Sequence, residues 1–166
     1  AVEFFFGVAK VSPPDFFSKH LMPYFKRFLK DQSQKVRECT TSFLVELYKV
    51  YGTDWGKTEL PEMIAFLAES SDYLQRETYL KCIDKLAVVY PTELRSYFVY
   101  QPMIRMAYDP ISSVTCLALC LIKHHIQDIH PFQQQHLINP LIETLQESDS
   151  RTVLQLVGEI AHILGH

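Results

Sequence analysis

Four stretches of this chain recur at a fixed interval. Asp31, Ser70, Asp109 and Ser148 stand 39 residues apart, and so do Arg37, Arg76, Thr115 and Leu154. Upstream of each pair a proline sits in an apolar run: Leu21-Met22-Pro23-Tyr24-Phe25, Leu60-Pro61-Glu62-Met63-Ile64, Gln101-Pro102-Met103-Ile104 and Asn139-Pro140-Leu141-Ile142. Self-similarity at this period is the mark of a stacked repeat array, in which each unit buries its apolar face only against its neighbours. Such arrays work through extended surfaces.

Each unit divides into two helices. In the first, Ser12-Pro13-Pro14-Asp15 supplies a cap and prolines for an opening turn, and Phe17, Leu21, Phe25 and Phe28 follow with helical spacing. After the polar stretch Asp31-Gln32-Ser33-Gln34, a second helix carries Val36, Cys39, Phe43, Leu44, Leu47 and Val50. It ends at Gly52, a residue suited to the position after a helix. The same reading puts helices at about 54–68 and 73–89, 92–107 and 114–126, and 132–145 and 151–164. The units are about 12–52, 53–90, 91–128 and 129–166. A partial helix at Val2-Glu3-Phe4-Phe5-Phe6 precedes them, and its exposed-looking aromatics lead us to expect a fragment of a longer array.

A proline inside a helix costs about 3 kcal/mol and bends it. Its recurrence at one place in the unit predicts a kinked first helix on a convex face, which is the HEAT pattern; armadillo units split that helix and add a glycine. The expected fold is therefore all-α, an α-solenoid of about four antiparallel HEAT helix pairs plus the partial helix.

Composition excludes several functions. Net charge is −3, with no long basic run, so the footprint of a nucleic-acid binder is missing. Four cysteines without zinc-ribbon spacing read as reduced core residues of an intracellular protein. Cys116, Cys120 and His124 fall on one helix face but span about 12 Å at 1.5 Å per residue, too far for one metal. No apolar run approaches the ~20 residues a membrane span needs. No nucleophile motif, phosphate loop or paired-carboxylate arrangement is present, so neither an enzyme nor a cofactor or metal site is expected. Trp55 reads as a packing anchor between units.

Gly52-Thr53-Asp54-Trp55 with Leu60-Pro61, then Asp72-Tyr73-Leu74-Gln75-Arg76, then Met103-Ile104-Arg105-Met106-Ala107 with Asp109-Pro110, resembles the C-terminal HEAT repeats of the scaffolding A subunit of serine/threonine protein phosphatase type 2A, or a paralogous phosphatase regulatory subunit. The resemblance covers nearly the whole chain and is strongest from Gly52 to Pro110. It departs from the family pattern at Ser70 and Ser148, which replace an acid, and at Thr115 and Leu154, which replace a base.

The resemblance implies a non-catalytic scaffold that binds a phosphatase catalytic subunit, and a further regulatory subunit, along the ridge of its intra-repeat turns. It places partner contacts at Ser33, Gln34, Asp72, Tyr73, Arg76, Ile111, Ser113 and Arg151. An exposed Tyr73 on a rigid turn offers large contact area at low entropic cost. Arg37 and Arg76 are expected to be chiefly structural, reaching an acid in a neighbouring turn. The location implied is the cytoplasm, with the nucleus as a second compartment; no nucleic acid or membrane partner is expected.

A second class of reading is a HEAT adaptor of trafficking or nuclear transport. It would take peptides on the face of second helices that carries Glu46, Lys49, Lys81, Asp84, Lys85 and Lys123. A third is a structural segment without a partner of its own. The loss of a basic residue from the last two turns predicts faster amide exchange after about Pro110.

Overall fold

The computed structural model describes residues 2–166. Every regular element among them is helical. We number the helices α1 (Val2–Val11), α2 (14–29), α3 (34–51), α4 (53–68), α5 (Tyr73–Leu86), α6 (92–106), α7 (Ser112–His125), α8 (131–145) and α9 (Arg151–Leu164). The chain clusters into two compact units, Ala1–Pro91 and Thr92–His166. Their boundary falls at the end of the second sequence repeat.

In the first unit the helices form two layers. The second helices α1, α3 and α5 run side by side: Phe6 stacks on Phe43 at 4.2 Å, and the Thr41 hydroxyl meets Cys82 Sγ at 3.8 Å. The first helices α2 and α4 make the other layer, joined by Phe17 and Trp55 at 5.7 Å. Between the layers lies an aromatic core. Phe25 is fully buried and touches the rings of Phe5, Phe6, Phe17, Phe28 and Phe43 at 5.1–6.3 Å. Trp55 is the packing anchor its position suggests, edge-on to Tyr51 at 4.8 Å, with an Nε1 that finds no acceptor among the described residues.

The second unit repeats the plan on a smaller scale. Lys123 of α7 bonds Glu159 of α9 at 2.7 Å, and Gln133 of α8 donates to the Ser96 hydroxyl of α6. Its core is aliphatic, built from fully buried Val99, Met103, Val114, Ala118, Leu119, Ile122, Ile138, Leu141 and Ile160.

Gly52 divides α3 from α4 with φ 87° and ψ 178°. The chain turns there through a positive-φ conformation that costs an L side chain dearly. It is the expected stop, but with extended ψ rather than the left-handed helical value. Gly165, after α9, takes that left-handed form with φ 82° and ψ 25°.

The recurrent prolines act through a wider helical turn. In α2, α6 and α8 one five-residue stretch is π-helical, at Phe17–Leu21, Ser96–Tyr100 and Gln134–Ile138. The amides of Met22, Gln101 and Asn139 each donate five residues back, to Phe17, Ser96 and Gln134. Each is followed directly by proline, which has no N–H and whose ring would crowd the carbonyl four residues earlier; the π turn moves the hydrogen-bond register at that point. Pro61 differs. It sits within α4 with no π turn before it, so the expected common kink takes this form in three of the four first helices.

Candidate docking ridge of the tandem turns

The 39-residue repeat is legible as one hydrogen-bonded device used four times. The side chain that opens each turn accepts the amide two residues on. Asp31 accepts from Ser33 at 2.8 Å, Ser70 from Asp72 at 3.1 Å, Asp109 from Ile111 at 2.8 Å and Ser148 from Ser150 at 3.2 Å. Serine substitutes for aspartate because the turn needs one short acceptor, not a charge.

The bond holds the third residue extended. Ser33, Asp72, Ile111 and Ser150 have φ between −73° and −93° and ψ between 114° and 118°, and each is the cap of the second helix. Asp72 and Ser150 also cap with their side chains, accepting from Leu74 at 2.9 Å and Val153 at 3.4 Å.

Six residues after the opening position a side chain reaches back to close the turn. Arg37 Nη1 donates to the carbonyls of Asp31 at 2.7 Å and Gln32 at 3.0 Å. Arg76 Nη1 donates to the Ser70 carbonyl at 2.8 Å. Thr115, without a charge, donates its hydroxyl to the Asp109 carbonyl at 2.8 Å. Leu154 has no such donor. Two expectations change. Arg37 secures its own turn and takes part in no ion pair among the described residues. The third turn keeps its closure, so faster amide exchange is expected only around the fourth, near 148–151.

Removing the closing group should weaken each turn in proportion to its bond. Arg37→Ala should cost about 1–2 kcal/mol and Thr115→Val about 1 kcal/mol, as expected for a charged and a neutral donor. Urea unfolding reads both. Changes within about 0.5 kcal/mol of neutral, the range of ordinary surface substitutions, would show that the turns hold without them.

The predicted contact residues cluster at these turns, within their own units. In the first unit Ser33 and Gln34 open α3, while Asp72, Tyr73 and Arg76 open the neighbouring α5. Gln34 Nε2 donates to Glu38 at 2.7 Å. Tyr73 is 43% exposed, and so is Leu74 beside it. In the second unit Ile111 and Ser113 open α7 and Arg151 opens α9, all exposed. Two neighbours were missed. Leu74 is an outward apolar residue in the first turn of α5. Tyr108 is 48% exposed immediately before Asp109, where the other repeats carry Lys30, Glu69 and Glu147. Aligning the repeats by their turns would have singled it out.

The cysteines are not the core set expected. Cys82 alone is buried, and desolvation pushes its thiol up to about 12. Cys39 and Cys120 are exposed and Cys116 is half-buried. Both exposed ones stand on the outer face of second helices, Cys120 one turn before Lys123. That lysine lies in the pair with Glu159, whose hydrogen bond raises the ammonium and lowers the carboxyl. Among the described residues no group of three His, Cys, Asp or Glu side chains is placed to hold a metal ion, and no helix is long and apolar enough to cross a membrane.

No family model matches this chain. No curated protein matches it either. Among solved structures the chain is similar to Cex1p, with a TM-score of 0.70 and 18% identity over 91% of this chain. The likeness is one of fold, a helical-repeat architecture. This chain spans 29% of the length of Cex1p.

Proposed function

We propose that the four helix pairs are HEAT repeats and that the chain is a non-catalytic scaffold. Its intra-repeat turns dock a serine/threonine protein phosphatase catalytic subunit, with a further regulatory subunit as a second partner, in the cytoplasm or nucleus. One observation carries the reading: four turns share one backbone geometry, and each is fixed by hydrogen bonds within itself. A surface rigid before binding loses little entropy on docking.

The exposed Tyr73 and Leu74 supply apolar contact area at the first unit's turns, and Tyr108 and Ile111 at those of the second. The phosphatase as partner rests on the resemblance of Asp72-Tyr73-Leu74-Gln75-Arg76 and its flanking motifs. The chain would contribute no chemistry and would hold the enzyme and its regulators in fixed relation. A pull-down from cell extract, read by mass spectrometry, tests this. Wild type should recover a phosphatase catalytic subunit and Tyr73→Ala should lose it. Recovery of coat or transport proteins instead would replace the phosphatase reading with the adaptor one.

A further inference from the structure

A second surface starts beside the first unit's turns, at Gln34 and Arg37, and runs along the outer face of the second helices. Between α3 and α5 runs a groove of about 340 Å³. On the other side of α3, towards α1, lies a shallow depression of about 460 Å³. Glu38 and Ser42 line both, so the two adjoin across α3.

Lysines line only the α5 side of this path, while carboxylates occur on both sides. On the α5 side Lys81 and Lys85 are exposed one turn apart, and neither has an ion-pair partner among the described residues. Two hydroxyls of the groove are already committed: Thr41 donates to the Arg37 carbonyl at 2.8 Å and Thr78 to the Leu74 carbonyl at 2.9 Å. Arg37 is held by its turn. On the α1 side Glu3 and Glu38 are exposed, and neither has an ion-pair partner among the described residues, while Glu46 is shared by Lys10 and Lys49. Between these carboxylates the floor is apolar, made by the stacked rings of Phe6 and Phe43.

Glu38 and Asp84 also face the lysine groove, which disfavours a simple anion there. A ligand with both signs fits better. Neighbouring helices lie 8–10 Å apart, and an extended chain advances about 3.3 Å per residue, so crossing from one side of α3 to the other takes about three residues. We propose that this face binds an extended peptide segment with an acidic residue against Lys81 and Lys85 and a basic residue about three positions away against Glu3 and Glu38. The apolar part of the segment rests on Phe6 and Phe43. This site adjoins the first unit's turns at Gln34 and Arg37, but none of the four charged side chains it uses is a predicted turn contact.

The test is fluorescence anisotropy with short labelled peptides, acetylated and amidated so that the termini carry no charge. One carries glutamate and arginine three positions apart with leucine between them; the controls carry two glutamates or two arginines. The mixed peptide should bind saturably and at least about tenfold more tightly than either control. Lys81→Ala with Lys85→Ala should weaken it about tenfold, as should Glu3→Gln with Glu38→Gln. Lys81→Glu with Lys85→Glu should shift preference to the arginine peptide. These side chains are exposed, and circular dichroism checks that the variants fold. No saturable binding by the mixed peptide, or binding indifferent to the lysine pair, overturns the proposal. The lysine variants change no turn residue or partner of one, so their peptide result is read separately from the phosphatase pull-down, while Glu38 accepts from the turn contact Gln34.

Discussion

Phe25→Ala should destabilise the first unit by about 3–5 kcal/mol, the range for truncating a fully buried phenylalanine. The side chain stands where α1, α2 and α3 meet, with five aromatic rings around it. Those rings are stiff and come from three helices, so the cavity has few ways to close. In a stacked array each unit depends on its neighbours, and the loss is a large fraction of a domain's net stability of about 5–15 kcal/mol. Urea unfolding followed by far-ultraviolet dichroism reads the effect. Phe25→Leu should recover a good part of the loss. A cost below about 1 kcal/mol for the alanine variant would mean that the aromatic cluster is not the core of this unit.

Gly56→Ala should be destabilising although alanine is the better helix former. Gly56 lies in the first turns of α4, and an added Cβ would overlap the Tyr48 ring at Cδ2 and Cε2. Tyr48 has little room to move. It is buried, donates to Thr53 Oγ1 at 3.0 Å, and meets the Tyr90 ring edge-on at 5.2 Å. The Tyr90 hydroxyl in turn donates to the Gly56 carbonyl at 2.6 Å. Overpacking of this kind costs about 1–3 kcal/mol or more, against a gain of about 1 kcal/mol in helix propensity. Combining it with Tyr48→Leu should cost less than the sum of the two single changes, since the ring that clashes is gone. A stabilised Gly56→Ala protein would show that the tyrosine pair yields freely.

Much of this was legible from periodicity. The nine helices among the described residues, the 39-residue turns and the stop at Gly52 all follow from local chemistry: short acceptors, caps, a positive-φ glycine and apolar spacing. The shared geometry extends to the fourth turn, where Ser148 stands for the acid, because the turn asks only for an acceptor. What the sequence concealed depends on neighbours. The π turns have no residue signature of their own; they arise from proline within a packed helix, and Pro61 shows that proline alone does not produce one. The exposure of Cys39 and Cys120 depends on which face of a second helix meets the layer below. The Thr115 closure was hidden because a hydroxyl and a guanidinium look unlike in sequence yet reach the same carbonyl. Tyr108 and Leu74 became visible as surface residues only once the turns were built.

The central claim is that the intra-repeat turns are docking surfaces. Titration of the purified chain with a purified type 2A phosphatase catalytic subunit tests it most directly, comparing wild type with Tyr73→Ala at matched unfolding midpoints. The account predicts saturable binding by wild type and at least a tenfold loss in the variant, about 1.4 kcal/mol. Equal affinities, or no binding by the wild-type chain, would contradict it.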